Sequence, residues 1–197
     1  MANRRLLFDG GWLRLYERAV DVRGHLVKWV YCSRGEGRTP LETEAVVVVP
    51  FVSTAAGTRL LVTKEYRIPI GDYEYGFPSG LIDRGESAES ACQRELEEET
   101  GYRVKRILKR SPGRLVSSAG LSDETFQYYL VEAQAGGPQR LEVAEQIETL
   151  LLSVSGLREL FGRDDVLLSG RLWPLGLGFL EAGSFDGILA GRGGEDE

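Results

Sequence analysis

Two stretches near the start of the chain alternate between apolar and polar positions. WLRLYERAVDVRG and HLVKWVYC have a period close to two, which predicts antiparallel strands turning at Arg23-Gly24 and forming a small N-terminal sheet. The polar segment SRGEGRTP, Ser33 to Pro40, predicts a loop. AVVVVPFV, Ala45 to Val52, is a continuous apolar run, the pattern of a strand buried on both faces. After the turn at Ala55-Ala56-Gly57, RLLVTKEYR reads as a second core strand, and TFQYYLVEAQA, Thr125 to Ala135, as another. Between them IPIGDYEYGFPSG, rich in glycine, proline and aromatics, reads as a loop. GLRELFG predicts a short helix, and the end of the chain, GRGGEDE, a disordered tail. The strands and helices do not alternate in a repeating unit, so the class is mixed α+β rather than doubly wound. The chain divides into an N-terminal β arm (1–40), a main domain (41–190) and a tail (191–197).

One helix is specified in detail. Ser87 is an N-cap residue, Gly101 a C′ residue, and no Pro or Gly interrupts Ala88 to Thr100. Within it, RELEEETG concentrates like charge, and glutamates three or four apart repel by about 0.2–0.5 kcal/mol per pair. At about 100° per residue, Glu95, Glu98 and Glu99 converge while Glu97 points away with Ser90 and Gln93. Ala88 and Ala91 share the convergent face, so it is partly buried. Taken alone the run also reads as a solvated charged face. Partial burial of three carboxylates would instead raise their pKa values unless a cation neutralised them, and a hard divalent ion is the economical answer.

Charge and composition exclude several classes. The net charge of -6 and the lack of a Lys/Arg cluster argue against a nucleic-acid footprint. No apolar run is long enough to span a bilayer, and MANRRLLFDGGW is too polar for a signal peptide, so the expectation is a cytoplasmic protein with no membrane partner. Cys32 and Cys92 lack ligand spacing and read as reduced. A single histidine, His25, leaves no multi-histidine metal site or His-based triad.

The stretch GLIDRGESAESACQRELEEETGY resembles the Nudix box, G-x5-E-x7-R-E-U-x-E-E-x-G-U with U a bulky apolar residue. The matching residues are Gly80, Glu86, Arg94, Glu95, Leu96, Glu98, Glu99, Gly101 and Tyr102. The resemblance to Nudix hydrolases implies an α/β/α sandwich with a mixed sheet, in which the box forms loop-helix-loop. It implies Mg2+, with Mn2+ as a substitute, held by Glu95, Glu98 and Glu99 and by the main-chain carbonyl of Ser79. Glu86 and Arg94 would staple the loop to the helix, with Gly80 and Gly101 structural. Glu98 would take part in catalysis. The general base is a glutamate outside the box; QRLEVAEQIETLL offers Glu142, Glu145 and Glu148, and Glu145 is favoured.

Shorter matches resemble the branch acting on ADP-ribose, ADP-sugars and other ADP compounds: KEYR (Lys64 to Arg67), YEYGFPSGLID, and SSAGLSDE (Ser117 to Glu124). They imply hydrolysis of a nucleoside diphosphate-linked small molecule to AMP and X-phosphate. Arg67 is suited to phosphate, and Tyr66, Tyr73, Tyr75 or Phe77 to stacking on a base. Glu124 lies in the implied substrate loop. Gly76 and Ala119 depart from the ADP-ribose pattern, which leaves NADH, diadenosine polyphosphates and GDP-mannose open. Nucleoside triphosphate hydrolysis and a non-catalytic nucleotide-sensing module are the other readings. The N-terminal strands resemble the arm through which this branch forms homodimers.

Overall fold

A computed structural model describes residues 4–34, 43–112 and 114–189. The expected tail at 191–197 and most of the Ser33 to Pro40 loop lie outside these residues. The chain forms two compact units, one of Met1–Ala45 with Pro112–Gln127 and one of Val46–Ser111 with Tyr128–Glu197.

The first unit is built on β1 (Arg4–Asp9), β2 (Arg14–Val22) and β3 (His25–Ser33), an antiparallel sheet in that order. The β2–β3 hairpin turns at Arg23 and Gly24, both at positive φ, and the Asp21 carboxylate accepts from the Gly24 amide at 3.0 Å. Val20 pairs with Val27 and Arg18 with Trp29 across the hairpin. The sheet buries little: Tyr16 and Tyr31 stack with ring centroids 5.9 Å apart, while Val20, Val22, Val27 and Trp29 stay exposed. The segment around β9 (Leu115–Val116) is tied to this sheet. The Cys32 amide donates to the Leu121 carbonyl at 2.8 Å, and Arg34 pairs with Glu124 at 3.1 Å.

The second unit holds β5 (Gly57–Arg67), β6 (Asp72–Gly76), β7 (Ser79–Leu81), α1 (Ala88–Thr100), β8 (Tyr102–Arg110) and most of β4 (Ala45–Thr54) and β10 (Thr125–Ala135). β11 (Ile147–Leu152), α2 (Val154–Phe161), β12 (Leu167–Leu168), α3 (Leu172–Ala182) and α4 (Asp186–Leu189) complete it. The sheet runs β12-β6-β5-β4-β10-β8, with β11 on β5 and β7 on β4. β12 pairs parallel to β6, whereas β5–β6, β4–β5, β11–β5 and β10–β8 are antiparallel, so the sheet is mixed. The fold class is α+β, as the strand and helix pattern indicates.

α1 closes the core because one side of it is small and apolar. Ala91, Cys92 and Leu96 are fully buried against Val46, Val48, Leu61, Tyr129 and Val131. Burial pushes the Cys92 thiol up to about 12, so it stays protonated, and both cysteines are free thiols. Removing Leu96 back to Ala costs about 2–5 kcal/mol.

Four elements depart from the sequence reading. The stretch expected as a loop before the acidic helix contains β6 and β7, short strands of which β6 pairs with β5 and β12 and β7 with β4. YRVKRILKR forms β8, an edge strand whose lysines and arginines protect its unpaired side. α3 is a further helix, whose Leu172 is fully buried. No helix among the described residues is long and apolar enough to cross a membrane.

Candidate active site

The site is organised by α1. The Ser87 hydroxyl accepts from the Ser90 amide at 3.0 Å, and Gly101 closes the helix at φ 73°, its amide donating to the Glu97 carbonyl. This frame sets the rotation of the glutamates. Glu95 and Glu99 are buried, at 8% and 4% exposure, and Glu98 is half-buried beside them. Glu97 lies elsewhere, accepting from Arg103 at 3.1 Å and Arg140 at 3.2 Å. Those two arginines hold its carboxyl below the usual range.

The preceding loop is shaped around the same carboxylates. The Ser79 amide donates to Glu99 Oε2 at 3.1 Å. Gly80 faces Glu95 so closely that a Cβ there would coincide with the Glu95 carboxylate. Arg94 grips Glu86 with two nitrogens, at 3.0 and 2.8 Å, and donates to the Leu81 carbonyl at 2.9 Å. Its remaining nitrogen reaches Glu95 Oε1 at 2.7 Å and Glu98 Oε2 at 3.4 Å. Glu86 in turn accepts from the Asp83 amide at 3.0 Å. Arg94 thus links the loop, the start of the helix and the acidic face.

Two glutamates outside this motif join the cluster. Gln139 bridges the carbonyls of Glu99 and Ile147, and the Arg140 amide donates to the Glu98 carbonyl at 2.8 Å, which ties the segment leading to β11 onto the end of α1. Glu145 sits on that segment. Its carboxylate accepts from the Glu142 amide at 2.7 Å, and its charge acts on Glu65, Glu95 and Glu99. Glu65 is on β5 beneath them, flanked by β6 on one side and β11 on the other through its partners Glu74 and Ile147. The structure therefore brings Glu95, Glu98, Glu99 and Glu145 together and adds Glu65. An acidic residue in the KEYR strand carries no spacing signal that marks it; only the pairing of β5 with β11 does.

The electrostatics follow from burial and like charge. Burial pushes the Glu95 carboxyl up to about 7, with Arg94 opposing and Glu98 and Glu145 adding to the rise. Burial raises Glu99 well above the usual range, and Glu95, Glu65 and Glu145 raise it further against the Ser79 amide. Burial also raises Glu65. Among the described residues no three carboxylates are already gathered as a metal-holding group, and Arg94 rests on Glu95 and Glu98. The donor set nonetheless fits a hard divalent cation. It consists of carboxylate oxygens whose charge a single guanidinium leaves uncompensated.

A cleft adjoins the cluster, lined among others by Glu65, Arg67, Phe77, Ser79, Ser169 and Arg171. Arg67 is clamped, Nη1 to Glu65 at 2.6 Å and Nε to Glu74 at 3.2 Å. Phe77 is buried at its wall, and Tyr66 packs edge-on against Tyr73 with centroids 5.4 Å apart. Glu124 belongs to the first unit, where it pairs with Arg34. Ser169 and Arg171 escaped the sequence reading because they follow a two-residue strand with little pattern of its own.

Comparison with known proteins accords with this geometry. Residues 42–167 match the NUDIX domain. An uncharacterized Nudix hydrolase of Schizosaccharomyces pombe is 30% identical over 158 residues, spanning 77% of this chain and 76% of that protein. The ADP-sugar pyrophosphatase of Mus musculus is 34% identical over 107 residues, 52% of this chain and 48% of that one. A crystal structure of an ADP compounds hydrolase superposes with a TM-score of 0.68 at 21% identity, covering 92% of this chain and 94% of that one.

Proposed function

We propose that this chain, which belongs to the Nudix family of hydrolases, cleaves the diphosphate of ADP-ribose-like and other ADP-X compounds to AMP and X-phosphate with Mg2+. The observation that carries this reading is the buried pair Glu95 and Glu99, the latter bonded to the amide of Ser79, which lines a cleft with Arg67 and Arg171. The likeness of half the chain to an ADP-sugar pyrophosphatase supports the substrate class. Glu95, Glu98 and Glu99 would hold the cation, with the Ser79 carbonyl, and Mn2+ would substitute for Mg2+. When bound, it supplies charge neutralisation at the diphosphate and activation of a water.

The protein's own groups do the rest. Arg94 fixes the rotamers of Glu95 and Glu98 and keeps the loop closed on the helix. Glu145 accepts the proton of the attacking water, whose oxygen bonds to phosphorus as the bridging oxygen departs with the X-phosphate or the AMP. Arg67 has its guanidinium plane set by two carboxylates; burial works against its charge, but Glu65 and Glu74 outweigh that and keep it protonated. Phe77 packs at the wall of the cleft, where it would border the substrate. The exposed apolar face of the N-terminal sheet supports a homodimer, and the free thiols support a cytoplasmic setting.

The test is a hydrolysis panel of ADP-ribose, NADH, diadenosine triphosphate, GDP-mannose and 8-oxo-dGTP with Mg2+, products separated by chromatography. AMP from the ADP compounds supports the reading. Cleavage confined to GDP-mannose or the triphosphate overturns the substrate class, and binding without turnover overturns the activity.

A further inference from the structure

Arg171 lies beyond the segment that matches the NUDIX domain, yet it lines the cleft beside Thr63, Glu65, Arg67 and Ser79. Its position is built by the chain that precedes it. β12 adds in parallel to β6, with Leu167 opposite Glu74 and Leu168 opposite Tyr75, and the Ser169 amide then donates to the Tyr75 carbonyl at 2.8 Å. The Ser169 hydroxyl accepts from the Arg171 amide at 3.3 Å, while the Leu172 and Trp173 amides donate back to the Ser169 carbonyl at 2.9 and 3.2 Å. Tyr128 donates its hydroxyl to the Arg171 carbonyl at 3.4 Å. The main chain of Arg171 is therefore held by the sheet on one side and by the fully buried Leu172 on the other. Gly76 faces this segment: a Cβ there would meet the Ser169 Cβ at 3.5 Å, in van der Waals contact.

Arg67 is bound to both Glu65 and Glu74. Arg171 brings a second arginine to the wall of the same cleft. We propose that Arg171 is a substrate-binding residue that contacts the diphosphate oxygens of the nucleotide, an inference that rests on the diphosphate-hydrolase reading above. Its planar fork matches two non-bridging oxygens. Those oxygens are charged before and during reaction, so Arg171 binds substrate and transition state alike and acts on KM rather than kcat.

Steady-state kinetics with ADP-ribose and calorimetric titration with ADP, both in Mg2+ buffer, test this on wild type, Arg171→Gln and Arg171→Lys. Arg171→Gln raises KM by roughly 10–100-fold, the range for one hydrogen bond to a charged group, with kcat within about twofold. ADP binding weakens by a similar factor, and Arg171→Lys recovers part of both. An unchanged KM with unchanged ADP binding overturns the proposal, as does a fall in kcat alone or a lysine variant no better than glutamine. If wild type leaves ADP-ribose intact, the hydrolase reading fails while the ADP titration still reads Arg171; an ADP affinity that Arg171→Gln does not alter overturns it.

Discussion

The Glu95 carboxylate occupies the space that a side chain at Gly80 would need. Gly80 is not a glycine for its backbone angle, because it is absent from the positive-φ positions; it is one for the room it leaves. Gly80→Ala drives Glu95 out of its contact with Arg94 at 2.7 Å. The expected cost is about 1–3 kcal/mol for overpacking, which in a chain of this size lowers Tm by about 2–4 °C per kcal/mol. Turnover falls as well, because the displaced carboxylate belongs to the acidic face. Calorimetry and an ADP-ribose assay on the same variant read both effects. An alanine variant with wild-type melting and turnover would refute the spatial argument.

Glu98→Gln and Glu99→Gln should each lower turnover by orders of magnitude while leaving the circular dichroism spectrum intact. Glu97→Gln should leave turnover within about twofold, since its partners Arg103 and Arg140 lie away from the cluster and exposed pairs of this kind contribute about 0.2–1 kcal/mol. The three variants share one helix, so a general loss of helix stability would affect all of them. A large loss for Glu97→Gln, or none for the other two, reverses the assignment of faces.

Much of α1 was legible because its signals are local. Ser87, Gly101 and the uninterrupted run between them set the helix bounds, and the 3.6-residue period separated Glu97 from Glu95 and Glu99. Glu65 was not legible in this way. It enters the cluster through the pairing of Glu65 with Glu74 and Ile147, contacts that join residues 9 and 82 positions apart by their numbering. The same holds for Arg171, which depends on a two-residue strand lying against β6. β6 and β8 were missed for a related reason. Glycine and aromatics in one and a run of cations in the other hide strands whose pairing comes from the sheet.

The raised Glu95 carboxyl makes a prediction about the metal-free protein. Its folded pKa, about 7, lies above the ordinary carboxylate value, so the protonated form is favoured in the fold. The stabilisation is complete below the unfolded pKa and is lost as pH rises through the folded one. In a chelator, Tm of wild type should therefore fall between pH 5 and pH 8 more than Tm of Glu95→Gln, which has no such proton to lose. Adding Mg2+ at pH 8 should raise wild type and leave the variant less affected. Parallel Tm curves for the two proteins across that range would sink the idea.

The N-terminal sheet supplies a test of assembly. Val20 and Val27 face each other across the hairpin, and both are exposed on the same side as Trp29. Light scattering should find wild type as a dimer and the double variant Val20→Asp, Val27→Asp as a folded monomer, because burying two carboxylates in an apolar contact is costly. A wild-type monomer overturns the homodimer, and a dimer that the double variant leaves intact places the subunit contact elsewhere.

Glu145 and Glu142 lie three residues apart on the segment leading into β11, and their environments separate their roles. The Glu142 amide donates to the Glu145 carboxylate, which holds that side chain in one orientation, and the Glu145 charge acts on Glu65, Glu95 and Glu99. A group that accepts a proton from the attacking water contributes typically about 10²–10⁴-fold. Glu145→Gln should lower kcat by that factor while leaving KM for ADP-ribose close to wild type. Glu142→Gln should leave kcat nearly unchanged, because the glutamine preserves the amide that orients Glu145. The comparison needs only kcat and KM for the two variants and wild type. If Glu142→Gln carries the larger loss, or if Glu145→Gln keeps wild-type kcat, the proton goes to another carboxylate of the cluster. Glu65 would then be the next to substitute, since it borders both the cleft and Glu99.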